Sequence, residues 1–418
     1  MRRAIVFVLI LWGVGCISLG LWASIGVAPT FAQDAADEAD YIGARECSSC
    51  HRTLSREHGD TLHALALQDV ERDKDPILAD FDQGEDLRLV QFPDEDEARP
   101  FTDDDIAFVI GAGRYAQRYL YEVDRNEYLV LPAEWDTVAQ TWRPLPLADT
   151  WPDPAYDWVQ NCAGCHTTGL DVERGRWNDD GVWCESCHGP GSDHAELASD
   201  AGRRPDDSEL EAIHAAIVLT PDAQVCGQCH SRGTEPDGGL PYPVNYRPGT
   251  DLLHEGIFSL AATDDPVSWW ETGHARRNNM QFNEWIQSAH AGALDTMKGS
   301  TNAADGCVQC HSGDNALRER ILALYEDGAD REGETPLDAI TLETAQFGVT
   351  CTTCHSPHGS YDVDFFLVDT EYAICTSCHQ NTDLTPTLHH PVMEMFEGQP
   401  IVEGVEGIPS AHFAEEEG

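Results

Sequence analysis

The longest apolar stretch of the chain lies at its N-terminus. Arg2 and Arg3 precede about 25 mainly apolar residues, and Thr30-Phe31-Ala32 then provides a small-residue cleavage site. This pattern is typical of a secretory signal peptide, but the run is also long enough for an uncleaved anchor. Residues 1–32 are therefore predicted to be a signal peptide or an N-terminal membrane anchor, and the body of the chain is predicted to be exported.

Few later stretches have the periodicity of long regular elements. Residues 118–135 contain two β-prone runs around a polar turn, which predicts a small β-hairpin. Residues 283–297 and 314–328 carry apolar side chains at helical spacing, which predicts two helices. The rest is expected to form short helices with long irregular connections.

One five-residue pattern, Cys-x-x-Cys-His, recurs seven times and uses fourteen of the fifteen cysteines; the remaining one, Cys16, lies in the apolar N-terminal stretch. In chain order, the seven motifs are numbered one to seven here and carry these residues: Cys47, Cys50 and His51; Cys162, Cys165 and His166; Cys184, Cys187 and His188; Cys226, Cys229 and His230; Cys307, Cys310 and His311; Cys351, Cys354 and His355; Cys375, Cys378 and His379.

Three chemistries use paired cysteines at this spacing. A structural zinc site pairs two such units, so an odd number of units fits poorly and the histidine is unexplained. A redox-active dithiol needs one unit beside a βαβ pattern. Covalent haem c attachment explains every feature, because the two thiols bind the haem vinyl groups and the histidine is the proximal iron ligand. The sequence therefore predicts seven covalently attached haems c.

The motifs and their flanks resemble the cytochrome c554 family of multihaem c-type cytochromes. The resemblance rests on "CAGCHTTGL…GVWCESCHGPGSDH", "VCGQCHSRG", "NEWIQSAHA…CVQC" and "CTTCHSPHG", and extends from about residue 46 to about residue 398. It implies a multihaem cytochrome fold that is mainly α with much irregular structure and is wrapped around closely stacked haem pairs, with electron transfer as the usual function. The same superfamily includes enzymes that act on hydroxylamine, nitrite and sulfur oxyanions.

Eleven of the 18 histidines remain after the seven proximal ligands, whereas methionine is scarce, so bis-histidine ligation and low reduction potentials are expected. The resemblance makes His194, His290 and His274 distal candidates. Sequence context adds His63, His358 and one of His389 and His390. The seventh distal ligand is predicted to be His412, with His58, His214 and His254 as alternatives. Without one, an iron has an open position.

Charge changes the view of possible partners. The chain has 74 acidic and 25 basic residues, a formal net charge of −49. Such a surface repels phosphate backbones and anionic headgroups, which excludes nucleic acid as an expected partner and limits membrane contact to the possible N-terminal anchor. The charge indicates a solvated acidic surface or, alternatively, a docking face for basic redox proteins.

Motif positions predict the organisation of the chain. Residues 33–150 hold the first motif and the hairpin, 151–235 and 301–418 hold three motifs each, and 236–300 carry distal ligands on a helical segment. Since each motif has only about 55 residues of chain, residues 33–418 are expected to form one continuous unit.

Three functions are compatible with this chemistry. The first is a periplasmic or extracellular electron carrier, free or tethered to the outer face of the cytoplasmic membrane. The second is an oxidoreductase in which one open haem binds a small nitrogen or sulfur species near Arg276 and Arg277. The third is the subunit of a cytochrome filament. The state of the sixth iron position separates carrier from enzyme, since a filled position excludes substrate.

Overall fold

The computed structural model describes residues 39–236, 239–326, 337–359, 366–380 and 391–399. The predicted signal peptide or anchor lies outside these residues. Within the described ranges, no helix combines the length and apolarity needed to cross a membrane.

A six-stranded antiparallel sheet follows the first motif. The predicted hairpin is confirmed, with Ala116–Asp124 paired to Glu127–Val130. The sheet is larger than the predicted hairpin because Ala116–Asp124, the longer strand of the hairpin, also pairs with two other strands. Its strand order is Leu67–Asp69, Phe108–Ile110, Ala116–Asp124, Ala133–Asp136 and Thr141–Pro144, with Glu127–Val130 added beside Ala116–Asp124. The fold is therefore mixed rather than mainly helical.

Both faces of this sheet are buried. Successive residues of a strand point to opposite faces, and here Leu120 packs with Phe108 on one face while Tyr119 packs with Trp135 and Trp142 on the other. All five side chains are at least nine-tenths buried. Apolar residues on both faces explain why simple alternation between apolar and polar positions is weak in the sequence.

Most helices are short, and seven of the fifteen in the described ranges overlap a motif. The fifteen helices are Ala44–Cys50, Arg52–Gly59, Trp158–Asn161, Ala163–His166, Cys184–His188, Ser192–Ala201, Asp207–Ala215, Ala223–Gly227, Gln281–Trp285, Ala293–Lys298, Val308–His311, Gly313–Glu326, Cys351–Cys354, Glu371–Cys378 and Val392–Glu397. Two-residue strand pairs join Leu89–Val90 to Arg99–Pro100, Thr167–Thr168 to Asp179–Asp180, and Gly233–Thr234 to Ser259–Leu260.

One helix prediction is confirmed and one is wrong. The helix expected at 314–328 is Gly313–Glu326. The single helix expected at 283–297 is instead two, Gln281–Trp285 and Ala293–Lys298. The hydroxyl of Ser288 donates to the Trp285 carbonyl at 2.6 Å, and such local bonds compete with helix continuation. The segment between the two helices carries His290.

Candidate haem-binding sites

Each motif holds its two thiols on one short turn of chain. Six of the seven motifs overlap a helix of four to eight residues, which contains at least one of the cysteines and ends at the histidine or next to it. The fourth motif begins on the helix Ala223–Gly227 and continues into a turn. The fourteen motif cysteines are free thiols, so none is used by a disulfide. This is the arrangement that two thioether bonds to one haem require.

Four proximal histidines face a second imidazole. The ring centroids are 6.1 Å apart for His51 and His194, and 6.2 Å for His230 and His63. They are 5.9 Å apart for His188 and His358, and 6.0 Å for His379 and His290.

These separations match the space needed for one iron between two imidazoles. Metal–imidazole bonds are about 2.0 Å long. In a five-membered ring with bonds near 1.33 Å, the nitrogen lies about 1.1 Å from the ring centre. Two imidazoles on opposite sides of one iron therefore have centroids about 6 Å apart. The residues present fit a bis-histidine haem at these four positions.

Backbone carbonyls orient several of the rings. Four of the histidines donate a hydrogen bond from Nδ1–H to a backbone carbonyl. His188 donates to Val218 at 2.6 Å and His194 to Ile213 at 2.9 Å. His166 donates to Ala66 at 3.0 Å and His311 to Ala293 at 3.2 Å. A carbonyl accepts only, so the proton is fixed on Nδ1 and Nε2 is left with its lone pair. This is the usual outer partner of a metal-bound histidine.

Burial favours the neutral form of six imidazoles at these sites. It lowers the pKa of His63 and of His358 to about 4, with a smaller contribution from the facing His230 and His188. Burial also lowers the pKa of His166, His188, His230 and His290. A neutral imidazole is the form that binds iron.

Comparisons with known proteins also support haem c binding. Residues 146–189 match the family described as cytochrome c554 and c-prime, and residues 345–384 match the doubled CXXCH motif. The crystal structure of the outer cell wall cytochrome OcwA superposes on 89% of this chain and 74% of its own, with a TM-score of 0.67 and 28% sequence identity. The chain is a multihaem c-type cytochrome.

Other relatives are more distant. The C-type polyheme cytochrome OmcC of Geobacter sulfurreducens is 22% identical over 47% of this cytochrome and 31% of its own length. OmcB of the same species is 20% identical over 52% of this chain and 24% of its own. The chain thus matches less than a third of the length of these curated relatives. An undecaheme cytochrome from the S-layer of Carboxydothermus ferrireducens shares the fold, with a TM-score of 0.51 and 20% identity.

The other predicted distal candidates of this cytochrome lie elsewhere. The His274 side chain is 79% exposed, with its Nδ1 atom 3.8 Å from Glu284, and within the described ranges no proximal imidazole faces it. The Nε2 atom of His58 is 2.8 Å from the Val182 carbonyl. His214 and His254 are exposed. His389, His390 and His412 lie outside the described residues.

A buried carboxylate joins the first and third motifs. Glu185, at 2% exposure, accepts the backbone N–H groups of Ile42 at 3.0 Å, Gly43 at 2.7 Å and Gly191 at 2.7 Å. Gly43 precedes the helix of the first motif, and Gly191 precedes the helix that carries His194. Sequence reasoning missed this role, because Glu185 occupies a variable position inside the third motif.

The second motif differs from these four. No imidazole faces His166 in the part of the chain that the structure describes. Its ring packs against Trp158, with centroids 5.9 Å apart, and the Trp158 indole N–H is buried without a hydrogen-bond partner among the described residues. Arg118 is close enough to lower the pKa of His166, after burial itself. Arg232 lies near both Cys162 and Cys165, and burial followed by repulsion from Arg277 lowers its pKa.

Contacts between motifs define an order. The side chain of Cys47 lies next to that of Cys184, and the same holds for Cys226 and Cys351, Cys310 and Cys378, and Cys165 and Cys229. The helices of the third and fourth motifs also touch. Cys354 of the sixth motif lies close enough to Cys375 and Cys378 of the seventh for those thiols to raise its pKa, after burial. The motifs therefore contact one another in the order one, three, four, six, seven, five, and the second joins at the fourth.

Proposed function

We propose that the chain binds seven haems c and carries electrons along them outside the cytoplasmic membrane. Haem c supplies a one-electron iron couple at each motif. The observation that carries the proposal is the set of four imidazole pairs about 6 Å apart, each pairing a motif histidine with a second one. With both axial positions held by protein, an iron transfers electrons but binds no substrate.

The motif contacts supply the path. Electrons enter or leave at the first and fifth motifs, which end the order, and pass through the third, fourth, sixth and seventh. Cysteines of consecutive motifs are neighbours, so the attachment points lie next to one another, which favours closely packed haems. The location is supported by the predicted N-terminal signal and by two structural relatives, one from an outer cell wall and one from an S-layer.

A potentiometric titration of the purified holoprotein tests the ligation. Bis-histidine coordination favours low potentials, and a net charge of −49 favours the ferric state further because reduction removes a positive charge. We expect seven one-electron steps with most midpoint potentials below zero against the hydrogen electrode. Midpoints mostly well above zero would contradict bis-histidine ligation or the charge argument.

The acidic surface supports redox proteins with basic faces as partners. Electron transfer to such a protein should then slow as salt rises, since exposed charges are screened beyond about 8 Å at physiological ionic strength. A rate independent of ionic strength would leave the charge as a solvated surface without a docking role.

A second candidate function is favoured by the surroundings of His166. An iron held there without a distal imidazole would have an open position, and Arg232 and Arg118 would be cationic neighbours for a small nitrogen or sulfur oxyanion. Of the two arginines predicted near such a site, Arg277 is close to Arg232, whereas Arg276 stacks on Trp270, 4.6 Å from the ring centroid.

Electron paramagnetic resonance of the oxidised protein separates the two functions. We expect a high-spin signal from about one-seventh of the iron, because one imidazole leaves a weaker axial field than two. The signal should respond to added nitrite, whereas the low-spin signals should not. A spectrum with only low-spin iron, quantified against haem content, would contradict the second function and leave electron transfer as the only one of the two.

A further inference from the structure

The longest helix in the described ranges, Gly313–Glu326, links the fifth motif to the sixth. It begins just after His311 and packs against the short helix Cys351–Cys354 of the sixth motif. Its first turn is fixed, because the Asp314 carboxylate accepts the backbone N–H of Phe347 at 2.7 Å, in the segment that leads to the sixth motif. Side chains on this helix therefore have defined positions beside the sixth motif.

One of these side chains, Arg320, binds the backbone of the sixth motif. Its Nη1 atom donates to the carbonyl of His355 at 3.1 Å, and its Nη2 atom donates to the carbonyl of Thr352. Thr352 lies between the two cysteines of the motif, and His355 is its proximal histidine. Carbonyls at the end of a helix carry partial negative charge and bind cationic side chains. The guanidinium is thus held against the turn of chain that carries the haem.

No neighbouring acid cancels the charge of Arg320. Its guanidinium forms no ion pair within the described residues, whereas Arg318, two positions away, pairs with Glu319 at 2.6 Å. Burial lowers the pKa of Arg320, so the group is partly withdrawn from water, but an arginine keeps its proton at neutral pH. Salt and solvent screen a partly buried charge less than an exposed one. The positive field of Arg320 therefore acts on the sixth haem.

The fixed charges beside the first and third motifs have the opposite sign. The carboxylates of Glu185 and Asp179 lie near Cys47 of the first motif and near Cys184 of the third. Glu185 is 2% exposed, and Asp179 accepts the Ala44 N–H at 3.0 Å. Because reduction removes one positive charge from a haem iron, nearby carboxylates favour the ferric state and lower the reduction potential.

One acid lies between the fourth motif and the sixth. Asp222 is near Cys226 and near Cys351, so its charge opposes that of Arg320. Its carboxylate accepts the Gln224 N–H at 2.9 Å, and burial raises its pKa, which weakens the preference for the charged form. Arg320, in contrast, is hydrogen bonded to the sixth motif itself.

We propose that Arg320 raises the reduction potential of the haem on the sixth motif above those of the first and third, so that electrons entering at the first motif are drawn toward the sixth. A fixed cation favours the loss of positive charge that accompanies reduction, and the two carboxylates at the other end oppose it. In each transfer one ferrous iron becomes ferric and the ferric iron of the sixth motif becomes ferrous. The inference rests on the electron-carrier function proposed above and gives it a direction.

Spectroelectrochemical titration of the holoprotein tests the charge. In Arg320→Gln, one ferrous–ferric equilibrium should shift at least about tenfold toward ferric iron, which is a midpoint about 59 mV lower. Arg320→Lys keeps the charge and should shift the same equilibrium less than about threefold. Both variants lose part of the bonding to Thr352 and His355, so both should unfold at a lower denaturant concentration. Equal shifts in the two variants would mean that the lost bonds set the potential, and would overturn the proposal.

Arg318→Gln is the matched control. Arg318 lies on the same helix, pairs with Glu319, and donates to the carbonyl of Leu337 at 3.0 Å. It should keep all seven equilibria within about threefold of the natural chain. A tenfold shift in this control would mean that any charge on the helix has the effect, and would overturn the assignment to Arg320. Arg320→Met is a second neutral variant and should give the same shift as Arg320→Gln, so either of the two is sufficient.

The order of reduction tests the direction. In the natural chain, the equilibrium that moves in the neutral variants should belong to one of the first three haems to be reduced. If it belonged to one of the last, the direction would be overturned. Seven one-electron steps that coincide in the natural chain and the neutral variants would overturn the role of Arg320 alone. A natural chain whose haems do not exchange electrons reversibly would overturn the carrier function.

Discussion

Replacing His63 by methionine is expected to raise the potential of the haem on the fourth motif by about 0.2 V, a fraction of the roughly 0.8 V that axial ligands can span. His63 faces His230, and methionine in place of one histidine is known to raise haem potentials. Because the fourth motif contacts the second, third and sixth, the altered iron would trap electrons at the junction of the path.

The expected effect on transfer is large. For one electron, each 59 mV changes an equilibrium tenfold, so escape from a centre that is 0.2 V lower in energy slows about a thousandfold. Stopped-flow oxidation of fully reduced protein should show one electron that is released about a thousand times later than the others. Potentiometry of the same variant should show one midpoint displaced and the others unchanged.

His254→Met serves as the control, since His254 is exposed and its Nδ1 atom is 2.9 Å from the carbonyl of Glu255. This variant should keep all midpoints and rates. A displaced midpoint in the His254 variant, or none in the His63 variant, would contradict the assignment of His63 as the ligand opposite His230.

Replacing Glu185 by alanine is expected to lower the free energy of unfolding by roughly 3–5 kcal/mol, because three buried N–H groups lose their acceptor at about 1–3 kcal/mol each. Without the Glu185 carboxylate, the backbone at Gly43 and at Gly191 is no longer held together, and these two segments bring His51 and His194 opposite each other. We therefore expect the low-spin signal of the first haem to weaken as well. Denaturant unfolding followed by haem absorbance, with the resonance spectrum of the folded variant, measures both effects.

Two further variants sharpen this test. Glu185→Gln keeps an oxygen for the bonds to Ile42 and Gly191 but turns an amide N–H₂ toward Gly43, so its loss should be intermediate. Glu196→Ala, an exposed acid on the helix that carries His194, should change the free energy of unfolding by less than about 0.5 kcal/mol. If Glu196→Ala were as destabilising as Glu185→Ala, the effect would come from helix charge rather than from the buried bonds.

The motifs could be found from the sequence because covalent attachment fixes their spacing within five residues. Distal candidates are harder, since a distal histidine is set by contacts between distant segments. Sequence context still selected His63, His194, His290 and His358, which the structure brings opposite proximal rings. It also selected His274, whose side chain is exposed beside Glu284 in this structure.

Other features left no readable signal. The sheet was underestimated because its other strands are only three or four residues long, too short for an alternating pattern to be recognised. The broken helix around His290 depends on a side-chain bond from Ser288 that helical periodicity does not reveal. The contact of Cys47 with Cys184 and the bonds from Ile42 and Gly43 to Glu185 join residues more than 130 positions apart, which no local pattern encodes.

The contact between Cys165 and Cys229 sets the second motif beside the line of the other six. A haem in that position can be charged and discharged through the fourth motif while electrons continue along the main line. This haem could store one electron outside the main path until an acceptor is ready. Such storage would let a donor that delivers electrons in pairs serve an acceptor that takes them one at a time.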